Sequence, residues 1–149
     1  MKLNVASYKR AAILTASPER LILMLFDGAL DSMNRAKQGF TIESINVRNE
    51  VISNSLIKAQ NIFAELQRSL RMKEGDEFPD TMFQLYDFYS MKLNEANFKK
   101  DQEPIDTVIR LFTEIRDAWA EMLTKQDVKA ERVTPNTASG AGAGLSLRA

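Results

Sequence analysis

Apolar positions recur at helical spacing in four long stretches of the chain. The first lies within Ala16–Gly39. Ser17 suits an N-cap, Pro18 suits the first helical position, and Glu19 places negative charge at the positive end of the helix dipole. Gly39 is the expected stop. Leu21 to Phe26 are apolar without interruption, so this helix is apolar in every direction near its start. One stripe comprises Ile22, Phe26, Ala29, Met33, Ala36 and Phe40, and a second comprises Leu21, Leu25, Gly28 and Ser32. A helix on one core hides a single stripe about 100° wide. Two readings follow: a central core helix, or a helix with one stripe toward the core and the other toward a partner helix.

The second stretch runs from Glu43 or Ser44 to Leu70. Ile45, Ile52, Leu56, Ala59, Phe63, Leu66 and Leu70 share its stripe, and Val51, Ile57 and Ile62 widen it. Met72–Glu77 reads as a turn. The third helix is expected over Pro79–Lys100, with Phe78, Met82, Leu85, Tyr89, Leu93 and Ala96 inward and Phe83, Tyr86 and Phe88 off that stripe. The fourth starts near Pro104 and ends near Lys125. Its stripe is Ile105, Val108, Phe112, Ile115, Trp119 and Met122, which places Trp119 in the core. Short connections between long helices imply antiparallel neighbours. The prediction is an all-α protein: an antiparallel four-helix bundle over residues 17–125, a mobile or loosely docked N-terminal arm over 1–16, and a disordered tail over 126–149. The arm lacks sustained periodicity yet carries Val5, Tyr8, Ile13 and Leu14. The tail is rich in Ala, Gly and Ser, which cannot bury enough surface to order it.

Composition removes most chemistry. The 149 residues include no Cys and no His, so thiolate catalysis, imidazole bases and Glu-x-x-His metal sites are absent. No Gly-rich phosphate loop is present, and neither a cofactor nor a metal is expected. Asp27 interrupts an apolar stretch; it is read as a raised-pKa carboxylate, a cap, the partner of a cation or the edge of a groove. Catalysis is not the expected function. The formal net charge is zero, which gives no general attraction to nucleic acid. No apolar run approaches the ~20 residues that span a bilayer, so membrane embedding is not expected. Charge is nevertheless uneven. Residues 1–17 carry Lys2, Lys9 and Arg10 without an acid, whereas residues 18–125 are net acidic.

The off-stripe apolar residues exceed the needs of one thin core. They suggest either a groove for amphipathic helices or a broad, well-filled interior. The sequence TASPERLILMLFDGAL over residues 15–30 resembles the signature of the flagellar export chaperones of the FliS family. The likeness continues through Lys58-Ala59-Gln60, Ile62, Glu65-Leu66 and Ser69-Leu70, then Leu85-Tyr86-Asp87-Phe88, Leu93, Ala96-Asn97 and Asp101. It ends with Glu114-Ile115-Arg116-Asp117-Ala118-Trp119. It covers residues 8–123.

The resemblance implies a cytoplasmic four-helix chaperone that binds the C-terminal segment of flagellin. Binding would block premature polymerisation and assist delivery to the flagellar type III export gate. Candidate client contacts are Leu25, Gly28, Ile57, Gln60, Ile62, Tyr86 and Asn97. Val5, Tyr8, Ile13 and Leu14 would let the arm cover the same groove in the free protein. The alternative is a structural helical protein that self-assembles through its apolar stripes.

Overall fold

The computed structural model describes residues 5–70 and 77–133, without the side chains of Tyr8, Ala12, Leu14, Glu77, Phe78 and residues 131–133. Among the described residues the protein is all-α. The helices are α1 (Val5–Thr15), α2 (Pro18–Gly39), α3 (Ile45–Leu70), α4 (Glu77–Lys99) and α5 (Glu103–Val133). Of the turn expected at 72–77, Glu77 instead opens α4 and the rest lies outside the described residues; of the tail expected at 126–149, residues 126–133 belong to α5 and the rest lies outside the described residues.

Two helix boundaries differ from the sequence reading. The arm is helical although its apolar residues keep no sustained period: residues 5–15 form α1, built largely from Ala, Leu, Lys and Arg, which are good helix formers. Helix α5 continues to Val133 rather than stopping near Lys125, because nothing before Pro135 breaks it.

The chain forms two compact units, one ending at Arg116 and the other beginning at Asp117. In the first unit, α2 begins as its sequence dictates. The Ser17 hydroxyl accepts from the Arg20 N–H at 3.3 Å, and Pro18 occupies the first turn. Its far end is set by packing. A Cβ at Gly39 would lie 3.0 Å from Ile52 Cγ1 and 3.1 Å from Val51 Cγ1, so the absence of a side chain lets α2 and α3 approach there. Helix α4 ends with Lys100 at φ 51°, and the Asp101 N–H returns to the Ala96 carbonyl at 3.0 Å. Such closures usually use Gly. Here the Lys100 ammonium is tied to Ser53 Oγ at 3.0 Å and to Asn97 Oδ1, which holds the chain in the left-handed conformation.

The interior centres on aromatic rings from all four long helices. Phe112 meets Phe26 at 5.1 Å, Phe63 at 5.2 Å and Tyr89 at 5.6 Å, each edge-on. Phe63 also stacks on Tyr86 at 6.0 Å. Edge-on and offset pairs are worth about 0.5–1.5 kcal/mol each beyond their area burial. Around them lie Ala29, Met33, Ile52, Leu56, Leu93, Ile105 and Val108, all fully buried.

Tyr86 is a correction to the expected stripe. It is 3% exposed, whereas Leu85 is only half-buried. The inward line of α4 is Met82, Tyr86, Tyr89, Leu93 and Ala96, a repeat of four, three, four and three residues. In the second unit, Trp119 and Met122 are half-buried and Leu123 is buried, so Trp119 is not the core residue predicted.

Candidate partner-binding surface

The start of α2 combines strong apolarity with incomplete cover. Leu21, Ile22, Leu23, Met24 and Leu25 are all half-buried; complete burial begins at Phe26. Leu21, Leu25 and Gly28 share one face at helical spacing. Across from them, Ile62 on α3 approaches Gly28: a Cβ on the glycine would sit 3.4 Å from Ile62 Cδ1. Ile62 is half-buried, and Ile57 is 48% exposed. Leu25, Gly28 and Ile62 are thus partly open apolar positions at or near the α2–α3 contact.

The other predicted contacts occupy different surroundings. Gln60 Nε2 donates to the Ser90 carbonyl at 2.9 Å. Asn97 Oδ1 accepts from Ser53 Oγ at 2.9 Å and from the Lys100 ammonium. Both residues therefore belong to the α3–α4 seam. Tyr86 is in the aromatic interior rather than on an open face. In the arm, Val5 and Ile13 are 58% and 51% exposed, while the side chains of Tyr8 and Leu14 lie outside the description.

Asp27 has found a cation. Arg116 Nε lies 2.7 Å from Asp27 Oδ1 and Nη2 lies 3.5 Å from Oδ2, which joins α2 to α5. Lys37 Nζ to Asp106 Oδ1 at 2.9 Å adds a second ion pair between the same helices. The partners of Asp27 were not legible because they stand 89 residues apart.

Tyr86 and Tyr89 hold their protons to higher pH than a free phenol does. Burial pushes the Tyr86 hydroxyl well above the ordinary tyrosine range, and the neighbouring Tyr89 adds to the shift. Tyr89 is raised by burial and then by Glu114. Among the described residues, no helix is long and apolar enough to cross a membrane.

One apolar surface was missed. On α4, Phe98 is 90% exposed and Met91 is 61% exposed. The signal was available: they lie seven residues apart and point away from the Leu93–Ala96 line.

The family model for the flagellar protein FliS matches residues 1–126. The chain belongs to the FliS family. Three FliS relatives show how far the likeness extends, and each is a flagellar secretion chaperone. The Bacillus subtilis protein is 34% identical over 126 residues, covering 85% of this chain and 86% of the relative. The Salmonella typhimurium protein is 32% identical over 123 residues, covering 82% and 88%. The Vibrio cholerae protein is 29% identical over 126 residues, covering 82% and 90%. The FliS match takes in α1 to α4 and α5 as far as Gln126, so it includes the α2 run, Gly28 and Ile62.

Proposed function

We propose that this protein is a cytoplasmic chaperone that receives the C-terminal segment of flagellin on the α2–α3 face and carries it to the flagellar export gate. The observation that carries the reading is the half-covered apolar run Leu21–Leu25 in a FliS-family chain. An amphipathic client segment exposes its own apolar stripe when unassembled, and this face offers a complementary cover. Covering about 1,500 Å² of apolar area would return tens of kcal/mol gross at about 25 cal/mol/Å². Ordering the client and immobilising both partners offset most of that, which leaves a complex that the export gate can still dissociate.

Leu25, Gly28, Ile57 and Ile62 act as contacts in this proposal. Gln60, Tyr86 and Asn97 act beneath or beside them, by holding α3 and α4 in register. Helix α1 is a weak intramolecular competitor through Val5, Tyr8, Ile13 and Leu14. Its basic charge favours the acidic body in a salt-dependent way.

The test is a calorimetric titration of the full chain with a C-terminal flagellin fragment, paired with sedimentation of the free protein. Saturable one-to-one binding by a chain that stays small is expected. Concentration-dependent growth of the free protein without fragment binding would instead identify a self-assembling structural protein. Deleting residues 1–12, or making Tyr8→Ala, should tighten binding if α1 competes. Equal or weaker binding by these variants rules out that role.

A further inference from the structure

The lysine that closes α4 carries a charge that no carboxylate among the described residues balances. Lys100 stands at φ 51°, where glycine is usual. Its ammonium donates to Ser53 Oγ at 3.0 Å and to Asn97 Oδ1, and both acceptors are neutral. The neighbouring Lys99, by contrast, lies 3.3 Å from Glu95 Oε1. An ammonium has three N–H groups, so Lys100 keeps one in reserve. Because an ammonium only donates, the Asn97 atom it meets is the amide oxygen. Ser53 Oγ donates to the same oxygen at 2.9 Å. The Asn97 amide is therefore fixed with its oxygen engaged twice, and among the described residues its two N–H groups have no acceptor. Ser53, Asn97 and Lys100 form a cluster with spare donors and an unneutralised positive charge.

The cluster borders an apolar depression. Asn97 and Lys100 line an open concavity of about 690 Å³ together with Met91 and Phe98. Phe98 is 90% exposed and Met91 is 61% exposed, so both are available to a partner. The charged side chains of the lining are Glu95, Lys99 and Lys100, which leaves one positive charge in excess. One carboxylate balances that charge, whereas a phosphate dianion exceeds it. Carboxylate oxygens also accept from the spare N–H groups, in hydrogen bonds strengthened by charge. The matching occupant thus joins a carboxylate to an apolar group. A peptide segment with Glu or Asp one helical turn from Leu or Phe has both on one face. The depression is separate from the α2–α3 face. Ser53 and Ile62 are nine residues apart on α3, about two and a half turns, so they lie on opposite sides of that helix.

We propose that the depression at the C-terminal end of α4 is a second docking surface for an acidic, apolar peptide segment: its carboxylate meets Lys100 and Asn97 while its apolar neighbour lies on Met91 and Phe98. This surface does not depend on the flagellin reading above.

The probe is an acetylated, amidated helical peptide of Ala and Gln that carries two Leu one turn apart and one Glu a turn beyond them. Its control has Gln in place of Glu. Each is titrated into the full-length chain, as wild type, Lys100→Gly and Phe98→Ser, by calorimetry and by NMR of isotope-labelled protein. Glycine suits the left-handed position, so Lys100→Gly should stay folded. Phe98→Ser alters an exposed side chain and should melt as wild type does. Wild type should bind the Glu peptide at least tenfold more tightly than the Gln peptide, a preference that shrinks in about 1 M salt. The Glu peptide should move the Asn97 side-chain amide signal and the backbone signals of Met91 and Phe98. Lys100→Gly should lose the preference, and Phe98→Ser should weaken both peptides. No saturable binding by wild type, equal affinity for the two peptides, a preference that survives in Lys100→Gly, or signals that move only on α2 would overturn the proposal. So would growth of the free protein in sedimentation that Phe98→Ser abolishes, because a second copy would then occupy the face. A saturating C-terminal flagellin fragment should leave the Glu peptide bound; displacement would overturn the assignment of a separate surface.

Discussion

The α2–α5 and α3–α4 seams are closed by different chemistry. Between α2 and α5 stand Asp27–Arg116 and Lys37–Asp106, with the acids 46% and 47% exposed. Between α3 and α4 runs a ladder of amide and hydroxyl bonds. Ser53 donates to Asn97, Gln60 to the Ser90 carbonyl, and Gln67 to the Phe83 carbonyl at 3.1 Å. Gln67 Nε2 also reaches Asp87 Oδ1 at 2.7 Å. The donors advance by seven residues as the acceptors retreat by seven, which is the register of two antiparallel helices meeting on one line. Sliding α4 by one turn would break every rung. Long charged side chains tolerate such a shift, and exposed ion pairs are typically worth about 0–1 kcal/mol. The ladder therefore specifies register, and the ion pairs trim one edge in a salt-dependent way.

Removing the shared support beneath both seams should have the largest effect. Phe63 is fully buried and touches Tyr86, Tyr89 and Phe112. Phe63→Ala should cost about 3–5 kcal/mol in denaturant melts. A loss below about 1 kcal/mol would mean that the seams hold the helices without this cluster.

Alkaline pH should act next, from the α3–α4 side where Tyr86 stacks on Phe63. In the unfolded chain a tyrosine ionises near pH 10, whereas the native Tyr86 hydroxyl holds its proton to higher pH. Above that point the unfolded state binds fewer protons. Stability is therefore unaffected below pH 10 and falls by up to about 1.4 kcal/mol per pH unit beyond it, until the native hydroxyl also ionises. Tyr86→Phe should flatten this decline. Identical pH profiles for wild type and variant between pH 9 and 11.5 would remove Tyr86 as its cause.

The smallest effects separate the seams directly. Gln60→Ala should cost about 0.5–1.5 kcal/mol by removing the cross-helix donor to the Ser90 carbonyl, with little dependence on salt. Asp27→Asn should cost no more than about 1 kcal/mol in dilute buffer, and that cost should shrink in 1 M salt. Equal salt responses in the two variants would erase the distinction.

Legibility followed the range of the interactions. Ser17, Pro18 and Glu19 announced the start of α2 because capping acts within one turn. The inward line of α3 was readable from Ile52 through Leu66, since a strong single stripe has one stable orientation. The pattern put Leu85 inward and Tyr86 off the stripe, and stacking on Phe63 from another helix decided for Tyr86. Gln60 and Asn97 read as candidate client contacts until the pairing of α3 with α4 set Gln60 against the Ser90 carbonyl and Asn97 against Ser53.

By itself, the sequence determined the four long helices, the cap of α2, the apolar excess at Leu21–Leu25 and the likeness to FliS chaperones. Each is written in local spacing or in contiguous motifs. Tertiary structure alone decided which off-stripe residues stay open, which cation meets Asp27, and why Gly39 and Gly28 differ. Helical periodicity gives each side chain a direction around its own axis. It does not give the axial register or neighbour at which that direction ends, because these depend on side chains interlocking across tens of residues.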